Sequence, residues 1–236
     1  MEYVLETREL TKTYGMKKAL DCAELQLPKG QIIGLLGPNG SGKTTLLKLC
    51  AGLIKPSKGE IDICGYPQGT ATKFLVSYLP DRTYLNNRQK VKEQLSLFED
   101  FYPDFDRSRA ERMLSALGIS AEARFGTLSK GSKEKVMLVL VMSRRAKLYL
   151  LDEPIGGVDP AARDYILNTI VTNFDPDATV VISTHLIADV ENILDGYIFL
   201  KEGKVVRTGY TAQTREETGK SLDELFREVF RCLPNY

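Results

Sequence analysis

A glycine-rich loop between an apolar run and a helical segment most constrains how this 236-residue chain can fold. The sequence from Gly37 to Thr45 is GPNGSGKTT, which matches the pattern G-x-x-x-x-G-K-[ST]. The apolar run Ile32–Leu36 comes before it, and the segment Thr44–Leu53 has a helical pattern. These features predict a strand, a tight loop and a helix in immediate succession, as in a layered α/β fold.

The residue types of this loop indicate a phosphate-binding site. Its three glycines leave backbone N–H groups free to surround an anion, and the next helix points its positive dipole end at the same place. Lys43 adds a mobile charge for β- and γ-phosphates, and the Thr44 hydroxyl is a hard oxygen ligand for Mg²⁺. A glycine-rich turn with a chance lysine is the alternative, and the strand–helix context disfavours it. The residues expected to hold a nucleotide here are Gly37, Pro38, Asn39, Gly40, Ser41, Gly42, Lys43, Thr44 and Thr45.

The composition argues against several classes of protein. A net charge of +1 gives no electrostatic reason to expect nucleic acid as the main partner. The four cysteines have no C-x-x-C pair and no metal-ligand spacing, so we expect reduced thiols in a cytoplasmic protein. The N-terminus lacks the residue order of a signal peptide, and the longest apolar stretch, Val136–Met142, is far shorter than the ~20 residues of a membrane span. We therefore expect a soluble chain that reaches a membrane only through a partner.

Short β-rich runs alternate with helical patterns along the chain, which again favours an α/β fold. The predicted strands are Ile32–Leu36, Phe74–Tyr78, Leu148–Leu151, Val180–Ser183 and Tyr197–Leu200. Residues 1–30 and 57–66 are predicted to add further short strands.

The middle of the chain is predicted to be helical instead. Apolar residues from Val91 to Tyr102 recur near 3.6-residue spacing, and a second apolar stripe ends at Gly118. We interpret residues 84–145 as a helical subdomain inserted into an α/β core of residues 1–83 and 146–236, so that residues 1–236 form one domain. Near the end, the capping-box pattern Ser221–Glu224 predicts an amphipathic helix that packs on the core.

An apolar run that ends in two carboxylates forms the second motif. The run Leu148–Leu151 is followed by Asp152, Glu153 and Pro154. A buried strand presents its carboxyl end at the ligand crevice of an open α/β sheet. Asp152 is thus placed to hold Mg²⁺ directly or through water, and Glu153 could polarise an attacking water as general base. An exposed Asp-Glu turn is the alternative, which the phosphate loop upstream disfavours.

The third motif begins an apolar helix with Ser129 as a favourable N-cap. With it, the chain resembles the nucleotide-binding subunit of an ATP-binding cassette (ABC) transporter from about Tyr3 to Phe230. The family signature Leu-Ser-Gly-Gly-Gln corresponds to LSKGS, Leu128–Ser132. The resemblance implies that this helix N-terminus, through Ser129 and Gly131, reaches the γ-phosphate of ATP bound by an opposite subunit. A plain helix cap is the alternative for this segment taken alone.

Further positions match the family one by one. Tyr14, 29 residues before Lys43, resembles the aromatic residue that stacks on adenine, although a lone tyrosine is more often packing. His185 is the only histidine and resembles the residue that senses the γ-phosphate and orients the catalytic water. Asp159 resembles part of a loop that contacts the opposite subunit. Asp159 and Pro160 also fit the N-cap and first residue of a helix Ala161–Val171, so both interpretations stand.

One departure from the family pattern lies at a position that the resemblance assigns to the metal site. The family usually has glutamine after the strand Phe74–Tyr78, and we align Asp81 with it, because the later candidate Gln89 lies in a polar run beyond the strand end. A carboxylate can ligate Mg²⁺ or its water, but an unpaired one repels the γ-phosphate. One like-charge pair at ~5 Å with an effective dielectric of ~20 costs about 3 kcal/mol. We hypothesise that Asp81 approaches the site only when Mg²⁺ is bound.

This hypothesis predicts the behaviour of Asp81→Gln. Because the substitution removes a negative charge, the variant should bind ATP without magnesium at least as tightly as the wild type. A titration with a fluorescent ATP analogue in EDTA measures this, and weaker binding would contradict the hypothesis.

The signature itself departs from the pattern at two positions. Lys130 replaces its first glycine and Ser132 replaces its glutamine, whereas Ser129 and Gly131 are retained. The charge of Lys130 could aid closure over a partner's phosphates or could simply be solvated, and the sequence leaves both open. The resemblance associates these changes with bacterial ATPase subunits of export-type, ABC-2-like transporters.

The resemblance implies both a fold and a function. The fold is α/β, a P-loop NTPase (RecA-like) core with an N-terminal antiparallel β subdomain and an inserted α-helical subdomain. The chain would bind and hydrolyse ATP with Mg²⁺ as a head-to-tail dimer, identical or paralogous, beneath transmembrane permease subunits at the inner face of the cell membrane. Glu153 would be the base, His185 the sensor, and Lys43 with Ser129 would stabilise charge. This sequence does not identify the transported substrate.

Three other functions compete with transport. A non-transport ABC ATPase acting on DNA or ribosomes is disfavoured by the near-neutral charge, the single cassette and the 85 residues between Lys43 and Ser129, too few for a long coiled coil. A guanine-nucleotide switch is disfavoured because the Asn-Lys-x-Asp motif is absent. A regulatory subunit that binds ATP without hydrolysing it is supported only by the altered signature and by Asp81.

Overall fold

The structure, a computed structural model, describes residues 3–156 and 160–230. Its strands are β1 (Tyr3–Tyr14), β2 (Lys17–Pro28), β3 (Ile32–Leu36), β4 (Lys58–Ile63), β5 (Tyr66–Pro67), β6 (Val76–Leu79), β7 (Leu148–Asp152), β8 (Thr179–Thr184), β9 (Gly196–Lys201) and β10 (Lys204–Tyr210). Its helices are α1 (Lys43–Cys50), α2 (Val91–Phe101), α3 (Arg107–Ala116), α4 (Lys130–Met142), α5 (Pro160–Asn173), α6 (Ile187–Val190), α7 (Thr211–Thr218) and α8 (Leu222–Phe230).

The central sheet brings the motifs to one edge. Its strand order is β10-β9-β3-β8-β7-β6, parallel from β9 to β6, with β10 antiparallel at the end. Strands β3, β7 and β8 are buried along their whole length, as expected for continuous apolar runs covered on both faces. The register pairs Leu36 with Thr184 and Asp152 with Ser183. The carboxyl ends of β3, β8 and β7 therefore lie side by side. These ends precede the phosphate loop, His185 and Glu153, respectively.

The N-terminal segment forms a second, antiparallel sheet with the order β2-β1-β4-β5. The predicted α/β architecture with an antiparallel N-terminal part is confirmed, but the expectation of short strands in residues 1–30 is wrong. Strands β1 and β2 each have 12 residues. Register shifts interrupt their pairing, and Glu9 and Cys22 take up positive φ angles of 47° and 49°. Bulges thus absorb the irregular positions and allow both strands to continue.

Two of the differences between predicted and observed boundaries have a clear local cause. The strand predicted from Phe74 begins only at Val76, because residues 71–74 form a 3₁₀ turn in which the Thr72 hydroxyl bonds both the N–H and the carbonyl of Gly69. The helix predicted to Leu53 ends at Cys50, shortly before Gly52, which has a φ of +68°. Strand β10 and helix α7 were not predicted.

Helices α2, α3 and α4 occupy much of the segment between residues 84 and 145, as the periodicity predicts. Residues Val136–Met142 of α4 are buried on every side because the helix packs against α3, α5 and β6 at once. The same apolar core includes Leu95 and Met113 of the helical segment and Leu151 of the central sheet. The division at residues 84 and 145 into subdomains stays a prediction.

A buried arginine connects three parts of this region. Arg144, two residues beyond the end of α4, has a side chain that is 2% exposed. Its guanidinium donates to the carbonyls of Val76 at 2.6 Å and Phe74 at 2.7 Å, and to both carboxylate oxygens of Asp104 at 3.1 Å. It also lies 3.9 Å from the ring centroid of Tyr102. Arg144 thereby ties the end of α4 to the start of β6 and to the turn between α2 and α3.

The C-terminal helix α8 packs on the core, as predicted. Its capping box is formed, since Ser221 N–H donates to Glu224 Oε2 at 2.8 Å and Glu224 N–H donates to Ser221 Oγ at 3.2 Å. Phe226 and Phe230 lie 5.4 and 5.9 Å from the ring of Phe199 in the central sheet. Among the described residues, none of the helices has the length and apolar character needed to cross a membrane.

Candidate functional site

The loop between β3 and α1 has a backbone that requires glycine. Gly42 has a φ of +110°, and a Cβ there would lie 2.4 Å from the carbonyl of Ala19. A Cβ at Gly37 would lie 2.3 Å from the carbonyl of Leu200. Helix α1 begins at Lys43 without a side-chain cap, so its first N–H groups are available to an anion. The loop therefore has the form of an anion-binding turn at a helix N-terminus.

Lys43 lies across this loop and faces the carboxylate pair. Its ammonium donates to the carbonyls of Gly37 at 2.8 Å and Pro38 at 3.3 Å, and lies 3.7 Å from Glu153 Oε1. Burial lowers the pKa of Lys43, while Glu153 and Asp152 act in the opposite direction. A cation held between the loop and Glu153 is in place to meet the phosphates of a nucleotide.

Asp152 is almost fully buried and surrounded by hydroxyl groups. Its Oδ1 accepts from Ser183 Oγ at 2.7 Å and from Thr44 Oγ1 at 3.1 Å, and its Oδ2 accepts from Tyr78 OH at 3.4 Å. Burial raises the pKa of Asp152, whereas the hydrogen bonds from Ser183 and Thr44 lower it. The same burial raises the pKa of Tyr78 well above its usual range.

The donor set around Asp152 fits a small hard cation. The Thr44 hydroxyl and the Asp152 carboxylate place two oxygen ligands within hydrogen-bond distance of each other. In the ranges 3–156 and 160–230, no group of three or more His, Cys, Asp or Glu residues could form a complete metal cage. Such a partial set suits Mg²⁺, which usually takes most of its ligands from water and phosphate.

Glu153 and His185 form a contact at the rim of the site. His185 Nδ1 lies 3.1 and 3.2 Å from the two carboxylate oxygens of Glu153. The Glu153 side chain is 14% exposed and that of His185 is 45% exposed. Glu153 has a positive φ of 50°, which turns the chain sharply after β7. Its carboxylate is thus oriented by an imidazole on one side and approached by Lys43 on the other.

A cavity of about 380 Å³ is lined by both the phosphate loop and Glu153. Its lining also includes Tyr14 and Asp81, together with most of the loop residues between Asn39 and Thr45. Tyr14 is half exposed, with Lys12 Nζ 5.2 Å from its ring centroid. An accessible aromatic face beside a phosphate loop is available for a base to stack upon. A larger cavity of about 780 Å³ lies between the two sheets, but it contains none of the predicted site residues.

Asp81 lies at the junction of two cavities. It lines the loop cavity and also a neighbouring cavity of about 530 Å³ that Lys130, Lys133 and Glu134 line from α4. Asp81 is exposed and is one of the charges that raise the pKa of Asp152. The predicted alignment of Asp81 with the site therefore agrees with its position, while its role toward a metal stays a prediction.

The signature residues lie apart from the loop cavity. Ser129 caps α4 and accepts from Ser132 N–H at 3.2 Å. A Cβ built on Gly131 would meet nothing within 4 Å. Lys130 is exposed, with its ammonium 3.8 Å from Glu134. Ser129, Lys130 and Gly131 do not line the loop cavity, and Asp159 lies outside the described residues.

Two polar residues of the site were not found from the sequence. Ser183 and Tyr78 contact Asp152 from the strands on either side of β7. Ser183 stands at the end of a predicted strand just before Thr184 and His185, and this position was the only available signal. It becomes informative only once the strand order places β8 next to β7.

Comparison with known proteins gives consistent results. A family model described as "ABC transporter" matches residues 20–156. The SkfA peptide export ATP-binding protein SkfE of Bacillus subtilis (strain 168) is 31% identical over 98% of this chain and 97% of its own length. A solved structure titled as the ATP binding subunit of an ABC transporter is 29% identical, with a TM-score of 0.84 over 96% of this chain and 99% of its own. The dimeric cassette MJ0796 bound to ADP and Pi has a TM-score of 0.78 over 87% of this chain and 98% of its own, and at 24% identity it shows a shared fold.

Proposed function

This chain belongs to the ABC transporter family, and we propose that it is an export ATPase that closes over ATP as a dimer beneath separate membrane subunits. The chain binds ATP and is an ATPase of a transporter. We infer the direction of transport, export, from SkfE, which is named for peptide export. The observation that most supports catalysis in this chain is the convergence of Lys43, Asp152, Glu153 and His185 at one end of the phosphate loop.

The roles of these residues follow from their chemistry. The loop N–H groups and Lys43 would bind the β- and γ-phosphates and stabilise the charge of the transferring group. Glu153 would accept a proton from the attacking water, and His185 would hold the carboxylate in position through the 3.1 Å contact. Thr44 and Asp152 would hold Mg²⁺, which neutralises phosphate charge when bound. Tyr14 would stack on the adenine base.

The separation of signature and loop supports a site completed by a second chain. Gly131 has neither a positive φ nor a crowded Cβ position, so the chain's own fold does not require glycine there. Ser129 and the N–H groups of α4 form a second anion-binding end that does not face the loop cavity. A glycine at such a helix start allows close approach of another molecule. We infer that this molecule is ATP bound by a second cassette in a head-to-tail arrangement.

The membrane subunits and the location are part of the same proposal. A transport ATPase of this family acts at a membrane, and none of the helices in the described residues is long and apolar enough to cross one. The cytoplasmic face is the side on which ATP is supplied. We therefore propose separate permease subunits as partners, with this chain bound peripherally to them.

The proposal is tested by measuring phosphate release from ATP by the purified chain, with and without magnesium. The expected result is magnesium-dependent turnover. Tight ATP binding with no phosphate release, either from the chain alone or after addition of its membrane subunits, would instead identify a regulatory, non-hydrolysing subunit.

A further inference from the structure

Ser183 occupies a position that connects both carboxylates of the site. It lies on β8 directly opposite Asp152 of β7 and is 0% exposed. Its hydroxyl is 2.7 Å from Asp152 Oδ1 and 3.1 Å from the backbone nitrogen of Glu153. The sequence motifs of the site do not include this residue.

The directions of these two hydrogen bonds are fixed. A serine hydroxyl has one proton and two lone pairs. The backbone N–H of Glu153 can only donate, so it uses a lone pair of Ser183 Oγ. The single proton of Ser183 must then go to the carboxylate of Asp152. If the hydroxyl rotated away from Asp152, its own buried O–H would lose its acceptor.

The Glu153 bond matters because of the backbone at that residue. Glu153 has a φ of +50°, a conformation that a residue with a side chain adopts only when its surroundings hold it there. Its N–H is shared between the hydroxyl and the carbonyl of Ser183, the latter at 3.0 Å. Its carbonyl accepts from Gly156 N–H at 3.0 Å. This turn sets the direction in which the Glu153 carboxylate points.

We propose that Ser183 is a positioning residue that couples the placement of the Asp152 carboxylate to the backbone turn of Glu153. The Ser183 hydroxyl fixes the orientation of the Asp152 carboxylate, which would hold Mg²⁺. The same hydroxyl holds the backbone N–H of Glu153, the residue that would act on water. Metal binding and the geometry for hydrolysis are thereby linked through a single buried side chain. This inference rests on the proposed ATPase function.

The test compares Ser183→Ala with Ser77→Ala. Ser77 is a matched control because it is also a buried serine of the central sheet, but its hydroxyl donates to the carbonyl of Val141 at 3.0 Å, away from the site. Both variants lose one buried hydroxyl, so a general loss of stability affects both. For each protein we would measure the affinity of a fluorescent ATP analogue in magnesium and in EDTA, together with kcat and KM for ATP.

Magnesium is expected to raise the ATP affinity of Ser183→Ala about tenfold less than it raises the affinity of the wild type. This difference corresponds to the loss of one hydrogen bond to a charged group. The affinity of Ser183→Ala in EDTA should equal that of the wild type, and kcat should fall more than KM changes. Ser77→Ala should match the wild type in all four quantities. Should Ser183→Ala not fold, Ser183→Cys keeps the size but has a weak donor and should lose the same magnesium-dependent gain.

Other results would overturn the inference. Equal losses of affinity with and without magnesium would show a general structural effect. Wild-type values in Ser183→Ala, as expected for Ser77→Ala, would show that Ser183 has no positioning role. A wild type that gains affinity with magnesium but releases no phosphate would remove the proposed hydrolysis, while the binding arm would still decide the role of Ser183. A wild type with no magnesium-dependent gain would contradict the coupling itself.

Discussion

Replacing Glu153 with glutamine is expected to slow ATP turnover by about 10²–10⁴-fold, the usual contribution of a general base. The carboxylate is held by His185 and lies 3.7 Å from Lys43, at the cavity that the phosphate loop lines. Glutamine keeps the size of the side chain but cannot accept the proton of water. Binding of ATP should persist, because the loop and Lys43 remain. Steady-state phosphate release and binding of a fluorescent ATP analogue measure the two effects separately.

Glu202→Gln is the matched control for this variant. Glu202 also has a positive φ, of 48°, but it lies exposed in the turn between β9 and β10. Loss of one negative charge on a left-handed backbone is therefore common to both variants, and Glu202→Gln should keep wild-type turnover. Near-normal turnover in Glu153→Gln would remove Glu153 from the role of base.

Arg144→Met is expected to destabilise the protein by about 3 kcal/mol, toward the lower end of what breaking a buried ion pair costs because Asp104 remains partly exposed. Methionine fills part of the volume but leaves the carbonyls of Phe74 and Val76 without these donors. It also removes the stacking on Tyr102. At about 2–4 °C per kcal/mol for a chain of this size, the midpoint of thermal unfolding should fall by about 6–12 °C.

The neighbouring residue supplies the control. Arg145 is 71% exposed and pairs with Asp106 at 3.2 Å on the surface. Arg145→Met should therefore cost less than about 1 kcal/mol, as for other surface ion pairs. Equal unfolding midpoints for the two variants, by calorimetry or circular dichroism, would contradict the role assigned to Arg144.

The ends of the central strands could be predicted because each apolar run is followed by a recognisable motif: the phosphate loop, the carboxylate pair or the segment with the single histidine. β3 matches its predicted range, Ile32–Leu36, β7 is one residue longer at its carboxyl end, and β8 is one residue longer at each end. Since parallel strands present their carboxyl ends at one edge, the motifs after β3, β7 and β8 were expected to meet, and the structure brings Lys43, Asp152, Glu153 and His185 together.

Features that depend on distant parts of the chain could not be predicted. Ser183 contacts Asp152 across 31 residues, and this neighbourhood follows from the strand order, which chain order does not reveal. Arg144 stands beside Arg145 in the sequence, yet one is buried and the other exposed because the acceptors of Arg144 lie 40 to 70 residues away. The long strands β1 and β2 were underestimated because bulges at Glu9 and Cys22 leave no clear sequence pattern.

The central claim, that two chains share each ATP site, is tested most directly by the oligomeric state of Glu153→Gln with and without ATP and magnesium. Size-exclusion chromatography with light scattering should show a monomer without nucleotide and a dimer with it, because bound ATP is not consumed. Adding Ser129→Glu to this variant places a carboxylate at the signature helix against the partner's phosphates, and this protein should bind ATP but stay monomeric. A Glu153→Gln chain that remains monomeric with ATP bound, or a dimer that forms equally well with Ser129→Glu, would contradict the shared site.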